Sequence, residues 1–350
     1  MNYMGAKKNL ITMEHGAGGD SMQSLIADTI LKNITNNKAG TVGLDSLDDG
    51  ATVRISDGVE IVITTDSHVI KPIFFPDSDI GRLSVSGTIN DLVVMGAKPI
   101  ALTCSIILPE GFEIEMLEKI IKSMNEAALE VGVSIVTGDT KTIEKNGLDS
   151  LIINTTGIGV AKNIIRDCSL KVGDKIIVTG TLGDHGTSLL IHREGFKFDT
   201  ELTSDVSPLW NLMADVLKIY TDDGKSVVSA MKDPTRGGLA STLNEMAQKS
   251  DVGVLLIEKL IPLKFSVRSA CEMLGLDPLE IANEGKIVMG VKHEYAEQVI
   301  DLLKSHKYGV DAAIIGEVTK ENRKKVVIKT EVGGMRYLSV PEGDPIPRVC

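Results

Sequence analysis

The chain has 350 residues, of which 43% are hydrophobic but only 3% aromatic, and a formal net charge of −11. That length carries two domains, and so few aromatics mean cores built from Ile, Val, Leu, Met and Ala. The acidic balance speaks against a duplex nucleic-acid binder, which needs clustered Lys and Arg, and leaves room for phosphate chemistry helped by a divalent cation.

Taken in chain order, the first half alternates strands and helices. Residues 60–65 read as a strand and 79–95 as a helix capped by Asp77 or Ser78. A strand follows over 100–108, an amphipathic helix over 113–131, a short strand over 134–137 and another over 151–160. The strands at 60–65 and 100–108 are apolar enough to be buried on both faces, so a homodimer built through the first half is expected. A domain boundary is expected near Ile165, where the polar turn Arg166-Asp167 follows a strand. The pattern then restarts. Strands are expected over 174–179, 253–257, 286–291, 313–318 and 325–330. Helices are expected over 207–220, 237–250, 267–275 and 296–305. The domains are accordingly 1–165, 166–333 and an extended tail, 334–350.

The four cysteines, at 104, 168, 271 and 350, show no CxxC and no close Cys/His pairing, which removes a structural zinc or iron–sulfur reading. No apolar run reaches the roughly 20 residues of a membrane span, and the N-terminus lacks the apolar region of a signal peptide. The expectation is a cytoplasmic protein with reduced thiols and no membrane partner. Cys104 and Cys271 fall in apolar elements and read as small buried hydrophobes. Cys350 differs. Pro341, Pro345 and Pro347 hold the preceding segment extended, so its thiol sits on a semi-rigid arm suited to carrying a group between sites. A disordered end that happens to stop at cysteine is the plainer alternative.

Aspartate-rich, glycine-adjacent segments recur at strand ends: Leu47-Asp48-Asp49-Gly50-Ala51, Thr64-Thr65-Asp66-Ser67-His68, Asn90-Asp91-Leu92, and Gly138-Asp139-Thr140-Lys141. The second half adds Lys232-Asp233-Pro234-Thr235-Arg236-Gly237-Gly238. Single loop aspartates are usually turn formers or caps. Several converging on one cleft repel each other unless a cation lies between them, and hard oxygen ligands suit Mg2+ bridging phosphates. Arg236 precedes a helix whose dipole already favours an anion. Glu284, in a turn before a strand, is a base or a solvated turn residue. Gly180, Gly183 and Gly186 form either an anion-holding loop or a tight strand-to-helix turn. His15-Gly16-Ala17-Gly18-Gly19 is a donor-rich loop of the same two-sided kind.

Together these segments, with NEGK at 283–286 and the terminal Pro347-Arg348-Val349-Cys350, resemble the HypE family of hydrogenase maturation proteins over essentially the whole chain. That family is similar to the wider aminoimidazole ribonucleotide synthetase group, with selenophosphate synthetase and thiamine-monophosphate kinase. The terminal cysteine motif separates it from those relatives. The resemblance implies an α+β fold of two domains, with N-domain strands pairing across a homodimer, a C-domain mixed sheet with helices, and an extended tail. It also implies that the carbamoyltransferase HypF loads a carbamoyl group on Cys350. ATP then drives its dehydration to a thiocyanate, and the cyano group passes to iron on a HypC–HypD complex. It assigns Asp49, Asp66, Asp91 and Asp139 to Mg2+, and these with Asp233 and Arg236 to ATP. Asp48 stands in reserve for Asp49. Lys141 and Arg236 become phosphate contacts, and Glu284 the base, with His15 or His68 as weaker choices. An ATP-dependent kinase or synthetase of the same group acting on a free small molecule, and a non-catalytic scaffold, are the competing readings.

Overall fold

The computed structural model describes residues 10–16, 20–57, 59–196 and 202–341. Cys350 and most of the expected tail, as well as residues 17–19 of the glycine-rich N-terminal loop, lie outside them.

The first half opens with a short helix, α1 (Asp20–Leu25), and then builds a sheet from β1 (Ala51–Ser56), β2 (Val59–His68), β5 (Lys98–Pro109), β6 (Ser134–Ile143) and β7 (Ile152–Val160). A small hairpin, β3 (Phe74–Phe75) and β4 (Ser78–Asp79), leads into α2 (Ile80–Val94), and α3 (Ile114–Glu130) joins β5 to β6. The strand order is β1-β2-β7-β5-β6, with only β5 and β6 parallel. β5 shows the period of two that a one-sided sheet demands. Leu102, Cys104, Ile106 and Leu108 are buried, while the residues between them are half-exposed. Burial on both faces, expected for 60–65 and 100–108, is therefore not seen within one chain; one face is covered by helices and the other is open.

α2 is covered on nearly every side, because it packs on β2 and β7, on α3, and on the second half of the chain. Leu83, Ile89 and Leu92 are fully buried there, each worth about 1.5–3 kcal/mol over exposure. Its N-terminus is capped by Asp79 rather than Asp77 or Ser78; Gly81 and Arg82 N–H donate to Asp79 Oδ1 at 2.6 and 3.1 Å. α3 is amphipathic, burying Ile120, Met124, Ala127 and Ala128.

The second half forms a mixed seven-stranded sheet from β8 (Lys175–Val178), β9 (Val228–Lys232), β10 (Gly253–Ile257), β11 (Val288–Val291), β12 (Ala313–Thr319), β13 (Val326–Lys329) and β14 (Met335–Tyr337). Their order is β14-β13-β10-β12-β8-β11-β9, with only β10 and β13 parallel. Its helices are α4 (Asp184–Glu194), α5 (Trp210–Met213), α6 (Gly238–Ser250), α7 (Phe265–Leu274) and α8 (Ala296–Lys304). The helix expected over 207–220 shrinks to α5 and a 3-10 turn at Val216–Lys218. Ser207, Leu209 and Val206 there are committed to contacts with α2 instead. Residue 335 onward, expected as part of an extended tail, begins as edge strand β14 paired to β13. β1 and β9 were not foreseen, since neither carries a long apolar run.

The two halves are locked through α2. Asn90 accepts from Leu209 N–H at 2.9 Å and donates to the carbonyls of Ser207 and Glu284 at 3.1 and 3.3 Å. Arg82 donates from Nε to Val206 O at 3.1 Å. Because Asn90 is buried, losing any of these bonds strands a polar group away from water. Among the described residues no helix is long and apolar enough to cross a membrane.

Candidate active site

Two periodicities aim side chains at one point. Alternation along β2 puts Thr64, Asp66 and His68 on the face toward α2, and spacing of four along α2 puts Gly87 and Asp91 on the face toward β2. The strand and helix approach closely because position 87 lacks a side chain; a Cβ there would stand 3.0 Å from His68 Nε2. The loop before β1 adds Asp49. The second half adds Asp233, Thr235 and Arg236 from the loop after β9, and Glu284 from the segment before β11. Together they line one cavity of ≈ 190 Å³.

The loop after β9 is shaped by its glycines. Gly237 and Gly238 have φ of 74° and 56°, the left-handed region open to glycine. A Cβ on Gly238 would meet the Ile281 and Leu279 carbonyls at 2.5 and 2.7 Å. Asn283 braces the same loop, donating from Nδ2 to Pro234 O at 3.0 Å and accepting from Gly183 N–H at 2.7 Å. That bond uses the N–H of the glycine-rich loop at 180–186, which serves here as a strand-to-helix turn. Arg236 donates to Gly16 O at 3.3 Å, bringing the N-terminal segment to the cavity mouth.

The electrostatics are those of crowded carboxylates. Burial, then the charges of Asp233, Asp66 and Asp49, hold Asp91 well above the usual carboxylate range. Burial and Asp49 push Asp233 to about 7. Burial, Asp233 and Asp66 likewise raise Glu284 well above its ordinary value. Asp66 is the exception. Burial works to raise it, but His68 Nε2, 3.1 Å from its Oδ2, and the Ser67 N–H bring it net below normal. Thr64 donates to Asp91 Oδ2 at 2.8 Å. Asp49 accepts from Lys232 Nζ at 2.6 Å through Oδ1, while its buried Oδ2 has no hydrogen-bond partner.

This arrangement fits a hard divalent cation shared with phosphate. Hard oxygens converge, repel, and include a buried acceptor with nothing to accept. Among the described residues no group of three or more His, Cys, Asp or Glu side chains is placed to hold a metal ion by itself. Mg2+ is commonly held by one or two carboxylates, with water and phosphate oxygens filling the rest of its shell. The cavity is too small for a whole nucleotide and is of a size for the phosphate end alone.

The structure separates the sequence-expected residues into two sets. Asp49, Asp66, Asp91, Asp233, Arg236, Glu284 and His68 come together. Glu284 is buried rather than a solvated turn residue. Asp48 turns away, its Oδ2 3.4 Å from Arg166 Nε. Asp139 and Lys141 are not in this cavity. They lie within β6, not in a loop after it, as an exposed pair 3.8 Å apart. His15 sits in a 3-10 turn at Met13–Gly16, bonded to Thr12. Cys104 and Cys271 are buried, and burial pushes the Cys104 thiol up to about 11. Sequence reasoning missed Gly87, which helix periodicity could have found, and it placed Thr64 and Lys232 within acidic segments without giving either a role. A larger cleft of ≈ 730 Å³ between α2, α3 and the second half, lined by Arg82, Lys119, Asp184 and Lys286, contains none of the expected Asp, Glu, Lys or Arg site residues, but Gly180 of the glycine-rich loop lines it.

Comparison with known proteins gives a consistent picture. Residues 47–161 match the family described as AIR synthase related protein, N-terminal domain, and residues 171–329 its C-terminal domain. The chain is 55% identical over 343 residues to a putative hydrogenase expression/formation protein of Methanocaldococcus jannaschii, covering 97% of this chain and 99% of that one. It is 43% identical over 346 residues to carbamoyl dehydratase HypE of Cupriavidus necator, covering 98% and 96%. A HypE–HypF complex contains a chain 42% identical to this one, with a TM-score of 0.83, covering 92% of this chain and all of that one. HypE in complex with ATP is 38% identical, with a TM-score of 0.78, covering 97% and 100%.

Proposed function

The chain belongs to the AIR synthase related family and, within it, to the HypE carbamoyl dehydratases of hydrogenase maturation, and from that premise we propose that it uses ATP to dehydrate an S-carbamoyl group on Cys350 to an S-cyano group. The observation that carries this reading is the convergence of Asp49, Asp66, Asp91, Asp233, Arg236 and Glu284 on one cavity. Pro341 lies beside that cavity's loop, 3.6 Å from where a Gly237 Cβ would be. Nine residues follow Pro341. Extended at about 3 Å each they span roughly 27 Å, enough for Cys350 to return to the cavity or enter a partner's site.

The chemistry suits these residues. A carboxamide oxygen leaves poorly. Its attack on the γ-phosphorus breaks the bond to ADP, and loss of one N–H proton gives an imidate phosphate. Loss of the second N–H proton as the C–O bond breaks yields the nitrile and inorganic phosphate. Phosphoryl transfer of this kind needs positioning and charge neutralisation more than covalent help. Asp49, Asp66 and Asp91 would hold Mg2+, which supplies that neutralisation when bound. Arg236 meets the phosphates, with Asp233 completing the nucleotide end. Glu284, a stronger base than a solvated glutamate once ionised, takes the N–H protons. ATP use is supported by the ATP complex of a HypE, and HypF as the carbamoyl donor by the HypE–HypF complex. A HypC–HypD complex as cyano acceptor, in the cytoplasm, completes the reading.

We also propose a homodimer. β6 is exposed along nearly its whole length, with Val136 62% exposed on an unpaired sheet edge. Asp139 and Lys141 would then act on a site only from a second copy, through that edge. A monomer at micromolar concentration in sedimentation would end that proposal.

The deciding experiment follows intact mass. Native protein incubated with HypF and an activated carbamoyl donor should gain one carbamoyl group, and then, separated from HypF and given ATP, lose one water. Cys350→Ala should show neither step, while keeping affinity for an ATP analogue and changing stability by less than about 0.5 kcal/mol. Delivery of a cyano group by Cys350→Ala would refute the carrier mechanism.

A further inference from the structure

Asp49 differs from the other cavity carboxylates in being held from behind. Its Oδ1 accepts from Lys232 Nζ at 2.6 Å, and its buried Oδ2 has no partner. Lys232 ends β9 in the second half, whereas Asp49 precedes β1 in the first, so this bond crosses between the two sheets' domains. Lys232 is itself fixed. Its ammonium lies 3.6 Å from Asp167 Oδ2 and 3.8 Å from Glu245 Oε2, and the side chain is 12% exposed. Asp167, fully buried, accepts from Lys249 Nζ at 2.6 Å. The Arg166-Asp167 turn, which reads as a polar boundary, thus forms the back of the network that holds Lys232.

A lysine ammonium is a compact point donor, able to fix one carboxylate oxygen without covering the other. Asp49, Asp167 and Glu245 all lie within 3.8 Å of the Lys232 ammonium, with Asp49 the nearest. We infer that Lys232 is a positioning residue, clamping Asp49 Oδ1 so that Oδ2 is the one oxygen of that carboxylate left to take the divalent cation of the nucleotide site. This rests on the assignment of Asp49 to metal made above.

Charge and position make separable predictions. Removing an ammonium beside a cation site relieves repulsion, and does so equally for Mg2+ and Ca2+. Removing a positional restraint penalises Mg2+, which demands near-ideal octahedral geometry, more than Ca2+, which accepts six to eight loosely arranged oxygens. The ratio of the two affinities cancels the charge contribution and reads position alone.

The test titrates the full-length chain with Mg2+ and with Ca2+ by calorimetry, in the presence of a non-hydrolysable ATP analogue. Lys232→Met should lower the Mg2+/Ca2+ affinity ratio about tenfold, the low end of what an outer-shell partner of a metal ligand contributes. Thermal unfolding reports separately on any structural role. Lys232→Gln, whose polar head suits the buried surroundings but whose side chain is too short to reach Asp49 as lysine does, serves where the Met variant fails to fold and should show the same fall. A folded variant with the native ratio overturns the inference while leaving the site assignment intact. Native protein that binds the analogue equally well without divalent cation overturns both.

Discussion

Two acid-rich regions meet at Asp49, and they differ in how their charge is matched. Behind it, Asp48, Asp167 and Glu245 share Arg166, Lys232 and Lys249. In front, Asp66, Asp91, Asp233 and Glu284 line a cavity in which Arg236 is the only lysine or arginine among the described residues. The consequences are opposite. Behind, Lys232 and Lys249 are carried above the ordinary lysine range, because their carboxylate partners outweigh burial. Asp48, left at the edge of that network, is raised to about 6 by burial and by Asp167. In front, Asp91, Asp233 and Glu284 are raised by burial and by neighbouring carboxylates, while Asp66, paired with His68, is lowered. A matched buried cluster holds domains together, and the unmatched one is the place proposed for a cation.

The largest effect expected from breaking this contrast lies in the matched region. Asp167→Ala removes a fully buried partner of Lys249 and Lys232. Breaking buried pairs costs about 3–5 kcal/mol, and the low end is expected because Lys249 keeps Glu245 at 2.7 Å and the Leu47 carbonyl. Denaturant unfolding of the variant measures it, and a loss under about 1 kcal/mol would mean the network is not structural.

The unmatched region should respond the other way round. Asp91→Asn removes one of the mutually repelling carboxylates, so thermal stability should hold or rise. Dehydration of the carbamoylated tail should fall about a hundredfold or more, the equivalent of ~3 kcal/mol of charge stabilisation. A destabilised variant with normal turnover would reverse the assignment of the two regions.

A smaller effect is expected where a buried titratable group has neither matching partner nor cavity. His185 in α4 is buried, with Nδ1 2.8 Å from Ser204 Oγ and Nε2 unpartnered. Burial, partly offset by Asp205, holds its pKa down at about 4. The unfolded chain takes up a proton near 6.5 that the folded chain refuses until about 4, so stability is full above pH 6.5 and falls as pH drops through that window. Between pH 7 and pH 5 the loss should be about 2 kcal/mol. His185→Gln should flatten this slope in unfolding measured across pH, and an unchanged slope would assign it to other groups.

Much of this contrast was hidden at the level of sequence, for identifiable reasons. Both regions draw on similar aspartates flanked by glycine or by other acids. Asp48 and Asp49 are neighbours with equal local claims, yet one pairs with Arg166 and the other lines the cavity. Asp139 reads like Asp66, since each follows an apolar strand run. But β2 faces α2, whereas β6 is a sheet edge with solvent around it, and strand order is not written in either strand's composition.

What the chain alone determined was whatever depends on short range. Hydrophobic periodicity marked β2, β5, β7, α2, α3 and α6 to within a few residues. Motif chemistry identified the family and named seven of the site residues that line the cavity, Asp49, Asp66, His68, Asp91, Asp233, Arg236 and Glu284. What only the tertiary structure decided was convergence: the burial of Glu284, the outward place of Asp139 and Lys141, and the passage of Lys232 from one half to a carboxylate of the other. Periodicity and turn chemistry act over a few residues, where a side chain's direction follows from backbone geometry. Pairing residue 49 with 232, or 90 with 284, depends on sheet order and domain packing, which are set by the sum of all buried contacts and carry no local signature.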